Sequence, residues 1–249
     1  MVTTNRYYRI ATWAALFMLA AFLRISVLKD IESSKILSPD ELFYFNWAQK
    51  LAVDGFTSNK PFIAAPLPAF IFSAFFKLGL GELHSLVIFN ACLELIACIL
   101  VCLATYLTTG FIASAAVGLI LSTNQSSIEF ACSGLKESLV FFFASVVVLS
   151  YSIFKRNPGK FPAFSIGLGI GLLSLCRENS IILLPVALYF IPKRMSLLAG
   201  AILGLSLTIY NSYSTQSLPI SSSQAGMNFY IGNTTATEFP GYYKPAFAS

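Results

Sequence analysis

Long apolar runs limit what this chain can fold into more than any other feature. A helix needs about 20 apolar residues to cross the hydrocarbon core of a bilayer. Hydrophobic residues make up 56% of the chain and charged residues 11%, against about a quarter charged in soluble domains. A soluble domain is therefore excluded, and we expect an all-α, polytopic transmembrane bundle of about seven helices. The predicted spans are 10–28, 84–106, 108–123, 138–155, 161–176, 179–191 and 195–212.

Composition excludes several other classes of function. The net charge is +5, but no dense basic patch is present, so nucleic acid is not a predicted partner. Five Cys show no CxxC or metal-ligand spacing, which favours packing as small hydrophobic residues. One His leaves no second His for a Ser-His-Asp triad or a histidine metal site.

Charges between the runs predict the orientation in the membrane. With a cytoplasmic amino terminus, the inner segments are 1–9, a tight turn near Thr108-Thr109-Gly110, 155–160 and 192–194. They carry Lys and Arg but no acid, whereas nearly every acid falls in an outer segment. The positive-inside rule therefore predicts that the amino terminus is cytoplasmic and the carboxyl end is outside. The first run lacks a clear small-x-small cleavage site, so it is predicted to be an uncleaved helix.

Most polar sequence falls into two outer segments. A seven-helix module over 1–212 includes a long outer loop, 29–82, and a polar tail, 213–249, is predicted to begin a further, truncated region. The short spans 161–176 and 179–191 predict a helical hairpin packed inside the bundle.

Two amphipathic helices are predicted in the first outer loop. Ser38-Pro39-Asp40-Glu41 combines a Ser cap, a Pro at the first helical position and a Glu three residues after the Ser, which is a capping box. This helix should run to about Val53 and end before Gly55. A second helix should begin near Pro66–Pro68 and stop at Gly79. The pair is expected to lie along the membrane surface.

Acidic residues of two outer loops are the candidate acid/base groups. Asp40 and Glu41 lie at the positive end of a helix dipole; Glu41 is the capping-box residue by position, while the box does not require Asp40. Glu137 stands at the mouth of the next span, with Glu129 as its rival for a second acid. Two carboxylates converging from separate loops suit proton removal and acceptor positioning.

Basic residues in the same outer segments are candidates for binding an anion. Arg177, at the tip of the predicted hairpin, must face a wet cavity, an anion or Glu178. Lys60 is either a solvated lysine or a phosphate contact. Arg24 and Glu94, inside two spans, are predicted to pair across helices.

These residues resemble the GT-C superfamily of integral membrane glycosyltransferases, especially bacterial relatives of protein O-mannosyltransferases and lipid A aminoarabinose transferases. The resemblance covers most of the chain and depends on the order of its short motifs. The motifs are Leu37 to Tyr44, Asn59-Lys60-Pro61, Gly134 to Leu139, Ser174 to Asn179, and Gly226 to Asn233. Glu137 stands where aspartate is common in these relatives.

The resemblance implies a glycosyltransferase that moves a sugar from a polyprenyl-phosphate donor to an acceptor hydroxyl on a lipid, glycan or protein, with inversion. Its catalytic residues would be Asp40, Glu41 and Glu137, and the donor phosphate would be bound by Arg177 and Lys60. No metal or other cofactor is predicted, although carboxylates suit Mg²⁺ or Mn²⁺. The implied location is a bacterial inner membrane, with the active site on the outer face.

Two other classes of function stay open at this point. A transporter or flippase would use buried charges such as Glu94 and Arg24 along a pathway, but it predicts related halves that this sequence does not show. A noncatalytic, truncated membrane module is the third interpretation. Acids in the outer loops, rather than at the bilayer midplane, favour the transferase.

Overall fold

The computed structural model describes residues 2–30, 38–56 and 60–216, with side chains of the first helix described from Tyr7 to Leu28. This part of the chain is helical and contains no strand. A 3₁₀ helix, Glu178–Ile182, lies between α8 and α9. The α-helices are α1 Val2–Asp30, α2 Pro39–Asp54, α3 Leu67–Lys77, α4 Leu83–Thr109, α5 Phe111–Thr123, α6 Gln125–Ala131, α7 Glu137–Arg156, α8 Lys160–Cys176, α9 Leu183–Phe190, α10 Arg194–Gly204 and α11 Ser206–Thr215.

Among the described residues, three helices are long and apolar enough to cross a membrane: Tyr7–Leu28 within α1, Leu83–Thr109 and Glu137–Arg156. Helices α5 and α6 bend by 60° at a short break, and α10 and α11 bend by 62°. If each bent pair is one span, the described residues contain up to five spans by length and composition. The all-α class is confirmed, and the predicted seven spans become three long helices, two bent pairs and two shorter helices.

The turn between α4 and α5 depends on a glycine. Gly110 has a φ of 96°, a conformation that costs residues with a Cβ and that glycine adopts freely. The predicted tight turn after Thr108-Thr109 is therefore present.

Both helices predicted in the first loop are also present. Helix α2 starts with the capping box: the Glu41 amide donates to Ser38 Oγ at 3.3 Å, and the Ser38 amide donates to Glu41 Oε2 at 2.9 Å. It ends at Asp54 before Gly55, and α3 ends at Lys77, two residues before Gly79. The boundaries follow from the local rules because caps and glycines act within one turn.

The two helical segments of the predicted hairpin are present, but only the first of them is buried inside the bundle. Helix α8 is largely buried, but no residue of α9 is buried. Leu184, Ala187 and Leu188 of α9 pack against the buried cluster that includes residues of α8, but the helix in close backbone contact with α8 is α10, through glycines on both helices. A Cβ added to Gly171 would lie 2.8 Å from the Cα of Gly204, and one added to Gly204 would lie 2.7 Å from the Leu168 oxygen. Small residues let the two backbones touch, as in other membrane helix pairs.

Several predictions concern residues outside the described ranges. They include the Gly226–Asn233 motif and most of the predicted tail 213–249. Helix α11 continues to Thr215, three residues beyond the predicted boundary of the seven-helix module at 212.

Candidate functional site

One hydrophobic cluster brings the candidate residues to the same end of the bundle. Ala48 of α2, Leu139 of α7 and Cys176 of α8 are buried together with Phe72 and Leu86. Tyr44 lies one helical turn before Ala48, Glu137 lies two residues before Leu139, and Arg177 follows Cys176. Three helix ends therefore meet at one place: the start of α2, the start of α7 and the end of α8. We call this place the α2 end.

Asp40 and Glu41 are neighbours in the chain with opposite environments. Asp40 is exposed in the first turn of α2, whereas Glu41 is 3% exposed. Glu41 Oε2 accepts the Ser38 amide, and Oε1 accepts the Gly134 amide at 2.8 Å. Asp40 is thus open to solvent, while each oxygen of the Glu41 carboxylate accepts a backbone amide.

The loop between α6 and α7 is held from two sides. Asn90 of α4 is fully buried, and its Nδ2 donates to the Ser133 oxygen at 2.8 Å and to the Leu135 oxygen at 2.9 Å. Glu41 accepts the amide of the residue between them, Gly134. These bonds fix the backbone that leads directly into Lys136 and Glu137.

A lysine and a tyrosine form the centre of the α2 end. Lys136 Nζ donates to Tyr44 Oη at 3.3 Å and lies 5.5 Å from the centre of the Tyr44 ring. Tyr44 is 4% exposed. Burial raises the pKa of its hydroxyl well above the ordinary value, and the negative charges of Glu178, Asp40 and, more weakly, Glu137 add to the rise. Tyr44 therefore stays protonated, and carboxylates from three segments lie within electrostatic range of it.

The two candidates for a second acid differ in position. Glu137 is half-buried at the first position of α7, and its Oε2 is buried without a hydrogen-bond partner in the described residues. Glu129 is exposed on α6, and its Oε1 accepts from Gln125 Nε2 at 2.8 Å. Only Glu137 of the two is among the carboxylates that act on Tyr44.

The two candidate phosphate ligands lie in different surroundings. Arg177 is exposed in extended backbone between α8 and the 3₁₀ helix, and within the described chain it makes no ion pair with Glu178. Lys60 is exposed on the wall of a cavity along α2. Asn211 of α11 holds the main chain there, because its Nδ2 donates to the Lys60 oxygen at 3.2 Å.

Arg24 and Glu94 form the predicted ion pair inside the bundle. Arg24 Nη2 lies 3.4 Å from Glu94 Oε1, and the two side chains are 1% and 3% exposed. Ser127 of α6 joins the pair: its Oγ accepts from Arg24 Nη2 at 3.0 Å and donates to Glu94 Oε1. The pair and Ser127 connect α1, α4 and α6. The predicted pairing of Arg24 with Glu94 across helices is therefore confirmed.

The chemistry available at the α2 end is that of carboxylates and cations. In residues 2–30, 38–56 and 60–216, no three His, Cys, Asp or Glu side chains are grouped so that they could hold a metal ion. An exposed carboxylate beside cations suits proton removal from a hydroxyl and neutralisation of an anion.

Several residues of this site were missed by the sequence reasoning. Tyr44 and Lys136 lie in quoted motifs but had no assigned role. Asn90 carried a usable signal, because an amide within a long apolar helix needs a polar partner. Asn211 gave a weaker signal, since it lies at the end of the predicted span 195–212, next to a polar segment.

These features define an all-helical integral membrane protein with a charged site at one end of its bundle. The fold is shared with the Saccharomyces cerevisiae protein O-mannosyltransferase Pmt1–Pmt2 complex, solved bound to the sugar donor. The TM-score is 0.65 and the sequence identity 15%, with 93% of this chain and 37% of that chain covered. The chain thus spans little more than a third of the neighbour's length, and the expected GT-C-like fold is confirmed. No protein-family model and no curated protein sequence matches the chain.

Proposed function

We propose that this protein is a membrane glycosyltransferase that moves a sugar from a polyprenyl-phosphate donor to an acceptor hydroxyl on the outer face of the membrane. The observation that carries the proposal is the convergence of Asp40 and Glu137 near Tyr44 at the α2 end, where Arg177 follows the buried Cys176. The fold shared with a protein O-mannosyltransferase supports it.

Asp40 is the proposed base. The acceptor oxygen forms a bond to the anomeric carbon as the bond from that carbon to the phosphate oxygen breaks. The acceptor proton passes to Asp40, and the phosphate leaves with the electron pair. A single in-line displacement of this kind inverts the anomeric configuration. The exposure of Asp40 supports this role, because a base must reach the proton that it removes.

Arg177 is the proposed partner of the donor phosphate. The leaving phosphate carries more negative charge in the transition state than in the bound donor, so a nearby guanidinium stabilises the transition state more than the ground state. Its exposure and its position directly after Cys176 support the role. Lys60 has weaker support as a second phosphate ligand, because its surroundings are those of the cavity along α2.

Glu137 and Glu41 are proposed to position rather than to react. Glu137 is half-buried at the start of α7, and a carboxylate at that position can orient an acceptor hydroxyl. Glu41, with both oxygens on backbone amides, holds α2 against the loop before α7. Its separation from solvent argues against the catalytic role that the resemblance implies.

The test is transfer of radiolabelled sugar from a panel of polyprenyl-phosphate donors by the purified protein, beside the Asp40→Asn variant. We expect transfer by the wild type and a loss of about 10²-fold or more in the variant. Glu129→Gln is the matched control, because this carboxylate is exposed on α6 and is not among those that act on Tyr44. Unchanged elution and helical circular dichroism would show that all three proteins fold.

Full turnover by Asp40→Asn would remove Asp40 from the mechanism. A folded wild-type protein that uses no donor of the panel would contradict the proposed function itself and favour the noncatalytic interpretation.

A further inference from the structure

A cavity of about 620 Å³ lies along the second half of α2, against residues 60–63. Its aromatic wall includes Phe43, Trp47 and Phe56, and its polar groups include Asn46, Lys50 and Asp54. A volume of this size is typical of sites for small organic ligands. The proposed function uses none of these side chains.

The cavity starts close to the proposed base. Phe43 follows Asp40 by three residues on α2, so their Cβ atoms lie about 5–6 Å apart on one helix face. Tyr44 links the two regions: its ring centre lies 5.3 Å from that of Phe43, and it stacks on Trp47 at 6.3 Å. A ligand in the cavity would therefore reach toward Asp40.

The wall opposite α2 is held in place by hydrogen bonds within the protein. Asn211 is 2% exposed; its Oδ1 accepts the Phe62 amide at 3.2 Å, and its Nδ2 donates to the Lys60 oxygen at 3.2 Å. The Phe62 ring lies 6.0 Å from Trp47 and 5.8 Å from Phe56. A buried amide thus holds the backbone of two wall residues, which reduces the ordering cost of binding.

We infer that this cavity binds the acceptor and that the acceptor is a saccharide built from pyranose rings. The inference rests on the proposed function only in naming the ligand an acceptor. Pyranose rings present C–H faces that pack on aromatic rings, and their hydroxyls both donate and accept hydrogen bonds. The cavity supplies both complements: Lys50 and Lys60 donate, Asp54 accepts, and Asn46 does both.

A peptide is the less suitable occupant. One common mode of peptide binding, the addition of a strand to a sheet edge, is not open to the described residues, which contain no strand. Lys60 has weak support as a ligand of the donor phosphate, and it lines this cavity, where it can donate to an acceptor hydroxyl.

The experiment uses Trp47 as the reporter. The chain has two Trp, so the Trp13→Phe variant leaves Trp47 as its single tryptophan. The full chain is placed in lipid nanodiscs, because maltoside and glucoside detergents themselves carry pyranose rings. Maltotriose, chitotriose and mannotriose are titrated against Trp47 emission, and a Ser/Thr-rich hexapeptide is titrated in parallel.

We expect a saturable change in emission with at least one trisaccharide. Lys50→Ala and Asn46→Ala should each raise the dissociation constant by about tenfold, equal to about 1.4 kcal/mol. Gln49→Ala, exposed on the same helix but absent from the cavity wall, should leave it unchanged. Asp40→Asn should also bind, since binding does not need the base.

Saturation by the peptide alone, or by no probe, would overturn the inference. The fate of the proposed function is read separately: saccharide binding without transfer from any donor would reject the transferase and leave the saccharide site. Transfer to a peptide without saccharide binding would support the transferase and reject the saccharide site.

Discussion

Glu41 Oε1 accepts a hydrogen bond from the Gly134 amide at 2.8 Å, across 93 positions of sequence. The same carboxylate caps its own helix through the Ser38 amide. One buried side chain therefore both starts α2 and attaches it to the loop that leads to Glu137. The relative placement of Asp40 and Glu137 depends on this contact.

Replacing Glu41 by Gln should destabilise the protein and lower transfer. The amide has one acceptor oxygen, so either Ser38 or Gly134 would face an NH₂ group with its own N–H. Hydrogen bonds to charged groups contribute about 1.5–3 kcal/mol, and a loss of that size should lower the thermal midpoint by several degrees. The midpoint is measured by the loss of helical circular dichroism.

Glu82→Gln is the control for that experiment, because Glu82 is exposed and makes no side-chain cap. An unchanged midpoint in Glu41→Gln would mean that the two amides contribute little to the fold.

Replacing Arg177 by Ala should weaken donor use without affecting folding. Arg177 is exposed, so its removal leaves no cavity, whereas a donor phosphate would lose its cation. We expect kcat/KM for the donor to fall by about tenfold or more, with Arg177→Lys partly active. Arg156→Ala, exposed at the carboxyl end of α7, is the matched control. Equal donor kinetics in Arg177→Ala would assign the phosphate to another cation.

Adding a methyl group between α8 and α10 should separate these helices. Gly171→Ala gains about 0.5–1 kcal/mol in helix propensity, but its Cβ would lie 2.8 Å from the Gly204 Cα and 2.9 Å from the Ala201 oxygen. Overpacking typically costs about 1–3 kcal/mol, and backbone atoms cannot rotate away, so the net effect should be destabilising. The readout is the thermal midpoint.

Gly159→Ala serves as the comparison, because its Cβ would meet Pro162 at an ordinary 3.4 Å. Equal midpoints for the two variants would show that the α8–α10 contact is looser than described.

Breaking the Arg24–Glu94 pair should cost more than removing it. Replacing Arg24 alone by Met leaves a buried carboxylate, and breaking a buried pair costs about 3–5 kcal/mol in soluble proteins. The double variant Arg24→Met with Glu94→Met should regain most of that loss, since neither charge is left buried. The thermal midpoints of the wild type, the two single variants and the double variant complete a double-mutant cycle. Additive losses would show that the charges do not interact.

Local rules predicted the parts of the fold that local forces control. The capping box at Ser38 placed the start of α2, and Gly110 marked the turn after α4, because caps and glycine conformations act within a few residues. The exclusion of a soluble domain required only composition. The pairing of Arg24 with Glu94 was also accessible, because two opposite charges in apolar spans must find partners.

The packing partners were not accessible in the same way. The predicted hairpin paired 161–176 with 179–191 because they are adjacent in sequence. Helix α9 does pack on the α8 cluster through partly buried side chains, but Gly171 and Gly204 bring α10 into the closer contact with α8. The glycine spacing was present in both helices, yet such spacing does not identify its partner.

The sequence by itself determined that this chain is a helical membrane protein, where its helices start, and which charged groups are available for chemistry. Hydrophobicity and capping are properties of single residues and near neighbours, so they can be read along the chain. Only the tertiary structure decided that Glu41 connects α2 to the loop before α7, whereas Asp40 is an exposed carboxylate. It also decided that Glu137 rather than Glu129 lies near Tyr44, and that Lys60 faces the cavity along α2. Burial and hydrogen-bond partners depend on residues more than 90 positions apart, such as Glu41 and Gly134, and no local pattern encodes that contact.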